Sequence, residues 1–123
     1  MANEIALTCK ISVSKGGMTG TNATSTKTLD MTGTTIFTNN PSIGTSYESL
    51  VLTDVDTTAD HWILLRNMDA TNFVWVAPTA ADTYASAKIP PGGFTMMKRP
   101  ANIATYLKSD TAACEVEVVA CEA

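Results

Sequence analysis

The segments HWILLRN (residues 61–67) and FVWVA (residues 73–77) decide the fold. Both are rich in aromatic and aliphatic residues that favour strands, and the stretch MDATN between them is typical of a short loop. The two segments therefore predict a β-hairpin. Because both are apolar at nearly every position, we expect each strand to be central in a sheet or covered by a partner subunit.

Strand patterns continue on both sides of this hairpin. Residues 4–14 alternate with period 2 and place Ile5, Leu7, Cys9, Ile11 and Val13 on one face, which predicts a half-buried strand. Further strands are predicted at residues 27–37, 47–55, 94–99, 103–108 and 114–121. No window carries a helical stripe. Eight to nine short strands predict an all-β protein, a single antiparallel β-sandwich or a jelly-roll-like barrel.

Glycine and proline mark the connections between these strands. PPGG at residues 90–93 is a strong turn signal, because proline pre-sets one turn position and glycine supplies a positive φ. KGGMTGTNATST at residues 15–26 predicts a long flexible loop. No change of composition marks a second domain, so we expect one domain over residues 1–123.

The composition excludes several classes of function. Of 123 residues, 45% are hydrophobic and only 16% charged, and 20 threonines and 16 alanines take the place of the missing charges. The net charge of −4 argues against binding to nucleic acid, which needs a basic face. We see neither an apolar run long enough to cross a membrane nor a signal peptide. We therefore expect no membrane partner and assembly in a cytoplasm.

The residues that catalysis requires are scarce. His61 is the single histidine, and a cupin-type metal site needs several. Cys9, Cys114 and Cys121 are odd in number and lack metal-ligand spacing, so free thiols are expected, with a bridge from Cys9 to the C-terminal strand as the alternative. We expect no catalytic residue, no cofactor, no metal site and no enzymatic activity.

One acidic stretch deserves comparison with a calcium loop. Asp54, Asp56 and Asp60 occupy positions 1, 3 and 7 of such a loop, but Ala59 replaces the glycine of position 6 and Leu65 the glutamate of position 12. The stretch also lies between strands rather than helices. A solvated polar loop is the expectation, and a weak cation site at an oligomer interface is the alternative.

Aromatic residues are the remaining candidates for a functional role. Trp62 and Trp75 could be platforms for sugar stacking, but their apolar neighbours favour packing in the core or at a subunit interface. The candidate subunit or partner contacts are Trp62, Leu64, Phe73 and Trp75 from the predicted hairpin and Met18 from the predicted loop.

A pattern of turns and short strands occupies about residues 61–119, in the runs WILLRNMDATNFVWV, KIPPGGFTMMKRP and ATYLKSDTAACEVEVV. It consists of a strand that ends in asparagine, a D-x-T-N turn, a Pro-Gly turn and a final hairpin into a V-x-V strand. The positions that carry it are Asn67, Asp69, Thr71, Asn72, Pro91, Gly92, Tyr106, Lys108, Ala112, Ala113, Glu115 and Glu117. In this pattern the second half of the chain resembles small structural proteins of tailed bacteriophages.

This resemblance implies a β-sandwich or jelly-roll component of the virion, assembled in the host cytoplasm. A capsid decoration (cement) protein that stabilises the phage head is the first expectation. Its partners would be the major capsid protein or other virion proteins, and it would be a homo-oligomer, with a trimer favoured. The alternatives are a tail, neck or minor capsid component, and a carbohydrate- or receptor-binding β-sandwich module.

Overall fold

The computed structural model describes residues 4–12, 14–19, 23–33, 36–80 and 85–122. These residues form thirteen strands and no helix, and every strand pair is antiparallel. The predicted all-β class is thus confirmed, whereas the count of eight or nine strands is not. No helix in the described ranges is long and apolar enough to cross a membrane. The chain divides into two compact units, Met1–Thr32 and Gly33–Ala123; a single domain over residues 1–123 stays a prediction.

The N-terminal unit contains one long strand pair. Strand β1 (Ile5–Ile11) pairs with β4 (Ala23–Leu29) along its whole length. One face has a threonine contact, in which Thr8 Oγ1 and Thr26 Oγ1 lie 3.1 Å apart. On the other face Ile5 is buried, while Ile11 at the far end is 62% exposed. The predicted strand is confirmed, but its predicted half-burial holds only near Ile5 and Leu7; Val13 lies outside the described residues.

The segment predicted as one long loop, residues 15–26, contains strands instead. Strands β2 (Ser14–Lys15) and β3 (Met18–Thr19) pair across a two-residue turn, and β4 begins at Ala23. Gly16 and Gly17 have φ values of +51° and +82°. Positive φ at both central residues is the requirement of a type I′ hairpin turn, which explains why this glycine pair folds the chain back so tightly.

The C-terminal unit contains two sheets. The four-stranded sheet has the order β10 (Ala87–Ile89), β9 (Val74–Ala77), β12 (Tyr106–Ser109) and β7 (Glu48–Ser49). The five-stranded sheet has the order β11 (Phe94–Arg99), β8 (His61–Asn67), β13 (Cys114–Glu122) and β5 (Ile36–Asn39), with β6 (Ser42–Ile43) paired to the start of β13. Both doubly apolar strands, β8 and β9, have a neighbour on each side. Their predicted central position is confirmed.

Buried side chains of both sheets form one hydrophobic core. Every second residue of β8 and of β13 is buried, as the period-2 geometry of a strand requires. These side chains join those of the four-stranded sheet in a single cluster, which includes Ile63, Leu65, Val116, Val118, Val74, Val76, Ile89 and Leu107. The opposite faces of β8 and β9 therefore point away from this core.

The prediction that β8 and β9 form a hairpin is wrong. They belong to different sheets, and the chain crosses from one sheet to the other through residues 68–73. The physical reason lies in two side chains. The Asp69 carboxylate accepts hydrogen bonds from the backbone N–H groups of Thr71 and Asn72, at 2.7 Å each, and Asn67 Oδ1 accepts one from Asp69 N at 3.0 Å. These bonds stabilise a turn that leaves the sheet instead of a ladder that continues it.

Two more crossings occur at the same end of the unit. Residues 90–93 connect β10 to β11, and residues 110–113 connect β12 to β13. In the first, Gly93 N donates to Pro90 O at 2.9 Å and Gly92 has a φ of +70°, so the predicted Pro-Gly turn is confirmed. Asn67 Nδ2 donates to Asn72 O at 2.7 Å and to Pro90 O at 3.2 Å. One buried side chain therefore joins two crossings.

Several strand boundaries differ from the predicted ones. The strand predicted at residues 27–37 is two strands, because β4 ends at Leu29 and β5 begins at Ile36. Residues 47–55 contribute only the two-residue strand β7, and the strand predicted at 103–108 is β12, Tyr106–Ser109. Strand β11 has the predicted bounds, residues 94–99.

Candidate interaction surfaces

The outer side of the five-stranded sheet carries an apolar surface, which we call the Trp62–Leu64 face. It consists of side chains that alternate with the buried ones, namely Trp62, Leu64, Met96, Val119 and Cys121. Leu64 is paired in register with Met96 on one side and Val119 on the other, and Trp62 is paired with Cys121. All five side chains are half-buried. When one face of an antiparallel sheet lies in water, the side chains on that face are usually polar. Here three neighbouring strands present apolar groups on that face.

Charges and one exposed aromatic ring border this face. Arg66 Nη2 lies 3.4 Å from Glu117 Oε2, and Lys98 Nζ lies 3.2 Å from Asp60 Oδ2. Phe94, paired with Arg66 in register, is 72% exposed, more than any other large hydrophobic side chain described. The Nε1 of Trp62 is buried and has no hydrogen-bond partner among the described residues. An apolar centre with a charged rim is the composition typical of a protein–protein interface.

The outer side of the four-stranded sheet carries a different surface, the cation–aromatic stripe. It is formed by Tyr47, Lys108, Trp75, Lys88 and Phe73. Trp75 is paired in register with Lys88 on one side and Lys108 on the other. Lys88 Nζ lies 4.0 Å from the centroid of the Phe73 ring and 4.7 Å from that of Trp75, and Lys108 Nζ lies 5.0 Å from that of Tyr47. Such distances are within the range of cation–π attraction.

The predicted contact residues are not brought together in one place. Trp62 and Leu64 lie on the five-stranded sheet, whereas Trp75 and the preceding Phe73 lie on the outer side of the four-stranded sheet. Met18 belongs to β3 in the N-terminal unit, where its backbone pairs with Lys15. The role of all five residues as subunit or partner contacts stays a prediction. For the four residues of the C-terminal unit it refers to two separate surfaces.

The single histidine and one of the three cysteines are buried, and a second cysteine is half-buried. His61 is buried at 1% exposure, and its Nδ1 donates to the carbonyl oxygen of Ala59 at 3.1 Å. All three cysteines are free. Burial raises the pKa of the Cys114 and Cys121 thiols, and Cys9 is exposed in the N-terminal unit. A raised pKa lowers the thiolate fraction and hence the reactivity.

The acidic stretch from Asp54 to Asp60 has a structural use. Hydrogen bonds from the hydroxyl and the backbone N–H of Thr58 hold the pKa of Asp56 below its ordinary value. A hydrogen bond from Ala101 N, followed by the nearby Lys98, lowers the pKa of Asp60 in the same way. In the described part of the chain no three His, Cys, Asp or Glu side chains are grouped as metal ligands.

A groove of about 480 Å³ lies in the C-terminal unit, between residues 49–52 and 102–104. Asn102, at a φ of +63°, donates its backbone N–H to Thr57 O at 2.9 Å, and both residues line the groove. The lining is mainly aliphatic, with Val51 66% and Ile103 39% exposed. None of the lining side chains is titratable. The polar side chains of the lining are the hydroxyls of Ser49 and Thr57 and the amide of Asn102.

Sequence reasoning missed the lysines of the stripe. Lys108 was named only as a position of the resemblance, and nothing singled out Lys88 or Tyr47. A signal was present, since Lys88 precedes buried Ile89 and Lys108 lies between buried Leu107 and Ser109. A lysine that alternates with buried residues lies on the outer face of a strand. The position of both lysines beside Trp75 depends on strand order, which no local sequence pattern predicts.

Comparison with known proteins gives no match, whether with family models, with curated proteins or with solved structures.

Proposed function

We propose that this protein is a structural component of a phage particle, a capsid decoration (cement) protein that acts through protein–protein contacts. In this proposal the C-terminal unit is a β-sandwich of the jelly-roll type, located in the virion after assembly in the host cytoplasm. Its partners are further copies of the same chain, with a trimer favoured, and the major capsid protein. The single observation that carries the proposal is the Trp62–Leu64 face.

The apolar side chains of this face favour contact with a partner over contact with water. Apolar surface in water costs about 25 cal/mol per Å², and contiguous patches on soluble proteins mark interaction sites. Here Leu64, Met96 and Val119 lie side by side on three strands, and the exposed Phe94 adds to them at the edge. The ion pairs at the border would fix the register of a partner rather than supply its affinity.

The predicted resemblance to phage structural proteins, over about residues 61–119, supports a virion component as such. A place on the outside of the particle rests on the charge of the chain. The net charge of −4 would keep the protein away from packaged DNA.

The test begins with sedimentation equilibrium of the full-length protein over a range of concentrations. We expect a homo-oligomer that Leu64→Lys and Phe94→Lys weaken by at least about tenfold in Kd, because a charge replaces apolar contact. Val51→Lys is the matched control, since it places the same charge on an exposed aliphatic position away from the face. Phe94 lies outside the core cluster, so its variant tests the interface even where Leu64→Lys unfolds.

A stable monomer at all concentrations would contradict the homo-oligomer. The second measurement is the copy number in purified particles of the phage that encodes the chain. Hundreds of copies per particle are expected of a decoration protein, whereas a tail, neck or minor capsid component would be present in far fewer. No copies at all would overturn the proposal of a virion protein.

A second candidate function is a carbohydrate- or receptor-binding module. The observation that favours it is the cation–aromatic stripe, because Trp75 lies on an outer sheet face and not in the core cluster. Quenching of Trp75 fluorescence by acrylamide and by glycans tests it, in a Trp62→Phe background so that only one indole contributes. A ring shielded from acrylamide would argue against this function.

A further inference from the structure

We propose that the cation–aromatic stripe on the four-stranded sheet binds an acidic polysaccharide. The inference rests on the second candidate function, carbohydrate binding, and adds the chemical class of the ligand. Its basis is the row in which Trp75 is flanked in register by Lys88 and Lys108, with the Phe73 and Tyr47 rings next to the two ammonium groups.

The preference for an anion rests on a contrast with two cations of the other sheet. On the five-stranded sheet, Arg66 and Lys98 are paired with the carboxylates of Glu117 and Asp60. Among the described residues, neither Lys88 nor Lys108 has a carboxylate partner, although the chain has 12 acidic residues. Their ammonium groups lie over aromatic rings instead. A ring face satisfies charge but accepts little hydrogen bonding, so donors remain for a ligand carboxylate.

The aromatic rings of the stripe favour a sugar as the ligand. Trp75, Phe73 and Tyr47 are half-buried, so each side chain is held by its strand or turn while part of its surface meets solvent. The apolar C–H face of a pyranose packs against such a ring. A stripe of fixed rings that alternate with positive charges therefore fits a chain of sugars that carry acid groups.

The spacing favours a polymer over a small anion. Adjacent strands are about 4.8 Å apart, so the backbones of Lys88 and Lys108, one on each side of β9, are separated by about 9.6 Å. A polymer with repeated acid groups can place one group beside each lysine at this separation. A nucleic acid is disfavoured because two cations on a chain of net charge −4 release few counterions.

The experiment measures binding of the full-length protein by calorimetry. The probes are oligomers of galacturonate, hyaluronate and sialate, together with the methyl ester of the galacturonate oligomer, which has the same sugars without the charge. We expect at least one acidic oligomer to bind and its uncharged counterpart to bind at least about tenfold more weakly. One such factor corresponds to about 1.4 kcal/mol, within the range of one charge-assisted hydrogen bond.

Variants locate the binding surface. The double variant Lys88→Gln with Lys108→Gln should lose at least about tenfold in affinity, and Trp75→Leu should lose a similar factor. The control is Arg66→Gln with Lys98→Gln, which removes the same charge from the other sheet and should change affinity by less than about twofold. Thermal midpoints of all variants show whether they are folded, and the conservative pair Lys88→Arg with Lys108→Arg should retain binding.

The outcomes distinguish carbohydrate binding itself from the preference for an acidic carbohydrate. If no oligomer binds, charged or esterified, carbohydrate binding itself is refuted and the inference with it. If the esterified oligomer binds as tightly as the acidic one, carbohydrate binding stands and the acidic class is wrong. If oligothymidylate of equal charge binds equally well, the surface is a general polyanion site and the inference is overturned.

Discussion

Asn67 is the side chain on which we expect the fold to depend most. It is fully buried at the end of β8, and its Nδ2 donates to the carbonyl oxygens of Asn72, Ile89 and Pro90 at 2.7, 3.3 and 3.2 Å. Its Oδ1 accepts from Asp69 N at 3.0 Å. Asn67→Leu keeps the volume but removes all four bonds. Each backbone group that stays buried without a partner costs about 1–3 kcal/mol.

We therefore expect Asn67→Leu to lower the free energy of unfolding by about 3 kcal/mol or more. That is a large fraction of the roughly 5–15 kcal/mol by which a domain is stable. Urea unfolding followed by tryptophan fluorescence measures it, and with a slope of about 1.5 kcal/mol/M the midpoint should fall by about 2 M. The control is Asn40→Leu, at an exposed position, which should change stability by less than about 0.5 kcal/mol.

Asn67→Asp tests the direction of the hydrogen bonds. The introduced carboxylate would face three carbonyl oxygens, so its pKa in the folded state should lie above the unfolded value of about 4. A raised folded pKa means that stability is highest below the unfolded pKa and falls as the pH rises through the folded one. We expect this variant to be more stable at pH 4 than at pH 7. Wild-type stability in Asn67→Leu, or no such pH dependence in Asn67→Asp, would refute the assigned role.

The remaining two predictions concern titration and reactivity. Hydrogen bonds from Asn72 N and Thr71 N lower the pKa of Asp69, so the stability that this carboxylate contributes is present above about pH 4 and lost as the pH falls through the lowered value; Asp69→Asn should flatten this acid slope in urea midpoints measured from pH 2 to 7. Iodoacetamide at neutral pH should alkylate Cys9 first, because Cys114 and Cys121 have raised pKa values and less exposure. Peptide mass spectrometry checks this, and early modification of Cys114 would contradict its burial.

The sequence predicted those elements whose signal is local. Strand β11 and the Pro-Gly turn were found with their bounds, because alternation, proline and a positive-φ glycine act within a few residues. The central positions of β8 and β9 also followed from composition, since a strand apolar on both faces needs cover on both. These predictions required no knowledge of which strands pair.

The predicted pairing of β8 with β9 was wrong because side chains in the connection stabilise a crossing between the sheets instead of a hairpin. A five-residue connection between two apolar strands is compatible with a hairpin and with a crossing between sheets. Asn67 and Asp69 decide for the crossing, and Asn67 does so through carbonyl groups of Ile89 and Pro90, more than 20 residues away. No local pattern contains that information.

Several residues of the turn motifs connect the two sheets. Asn67, Asp69, Thr71 and Asn72 form the first crossing, and Pro91 and Gly92 form the second. Thr111, next to Ala112 and Ala113 of the third crossing, donates to Asn72 Oδ1 at 2.6 Å. The other motif positions lie within β12 and β13, namely Tyr106, Lys108, Glu115 and Glu117. The resemblance to phage structural proteins stays a prediction.

The sequence predicted the candidate contact residues only in part. Their predicted placement on one surface was wrong because the predicted β8–β9 hairpin was wrong. Trp62, Leu64, Phe73 and Trp75 were expected on one hairpin, and the crossing at residues 68–73 places them on two sheets. Each pair then has its own surroundings. Trp62 and Leu64 lie among apolar groups with ion pairs at the rim, and Trp75 lies between two lysines.

This separation makes the two proposed activities independent in experiment. Leu64→Lys changes the five-stranded sheet, and the glutamine variants of Lys88 and Lys108 change the four-stranded one, with the core cluster between them untouched. If the Trp62–Leu64 face is occupied by neighbouring subunits, the cation–aromatic stripe remains open in the assembled form. Assembly would then present many stripes at once, and weak binding of each to a polymeric glycan would add up through multivalency. The oligomer should accordingly bind an acidic polysaccharide more tightly than Leu64→Lys monomers do, while short oligomers bind both equally.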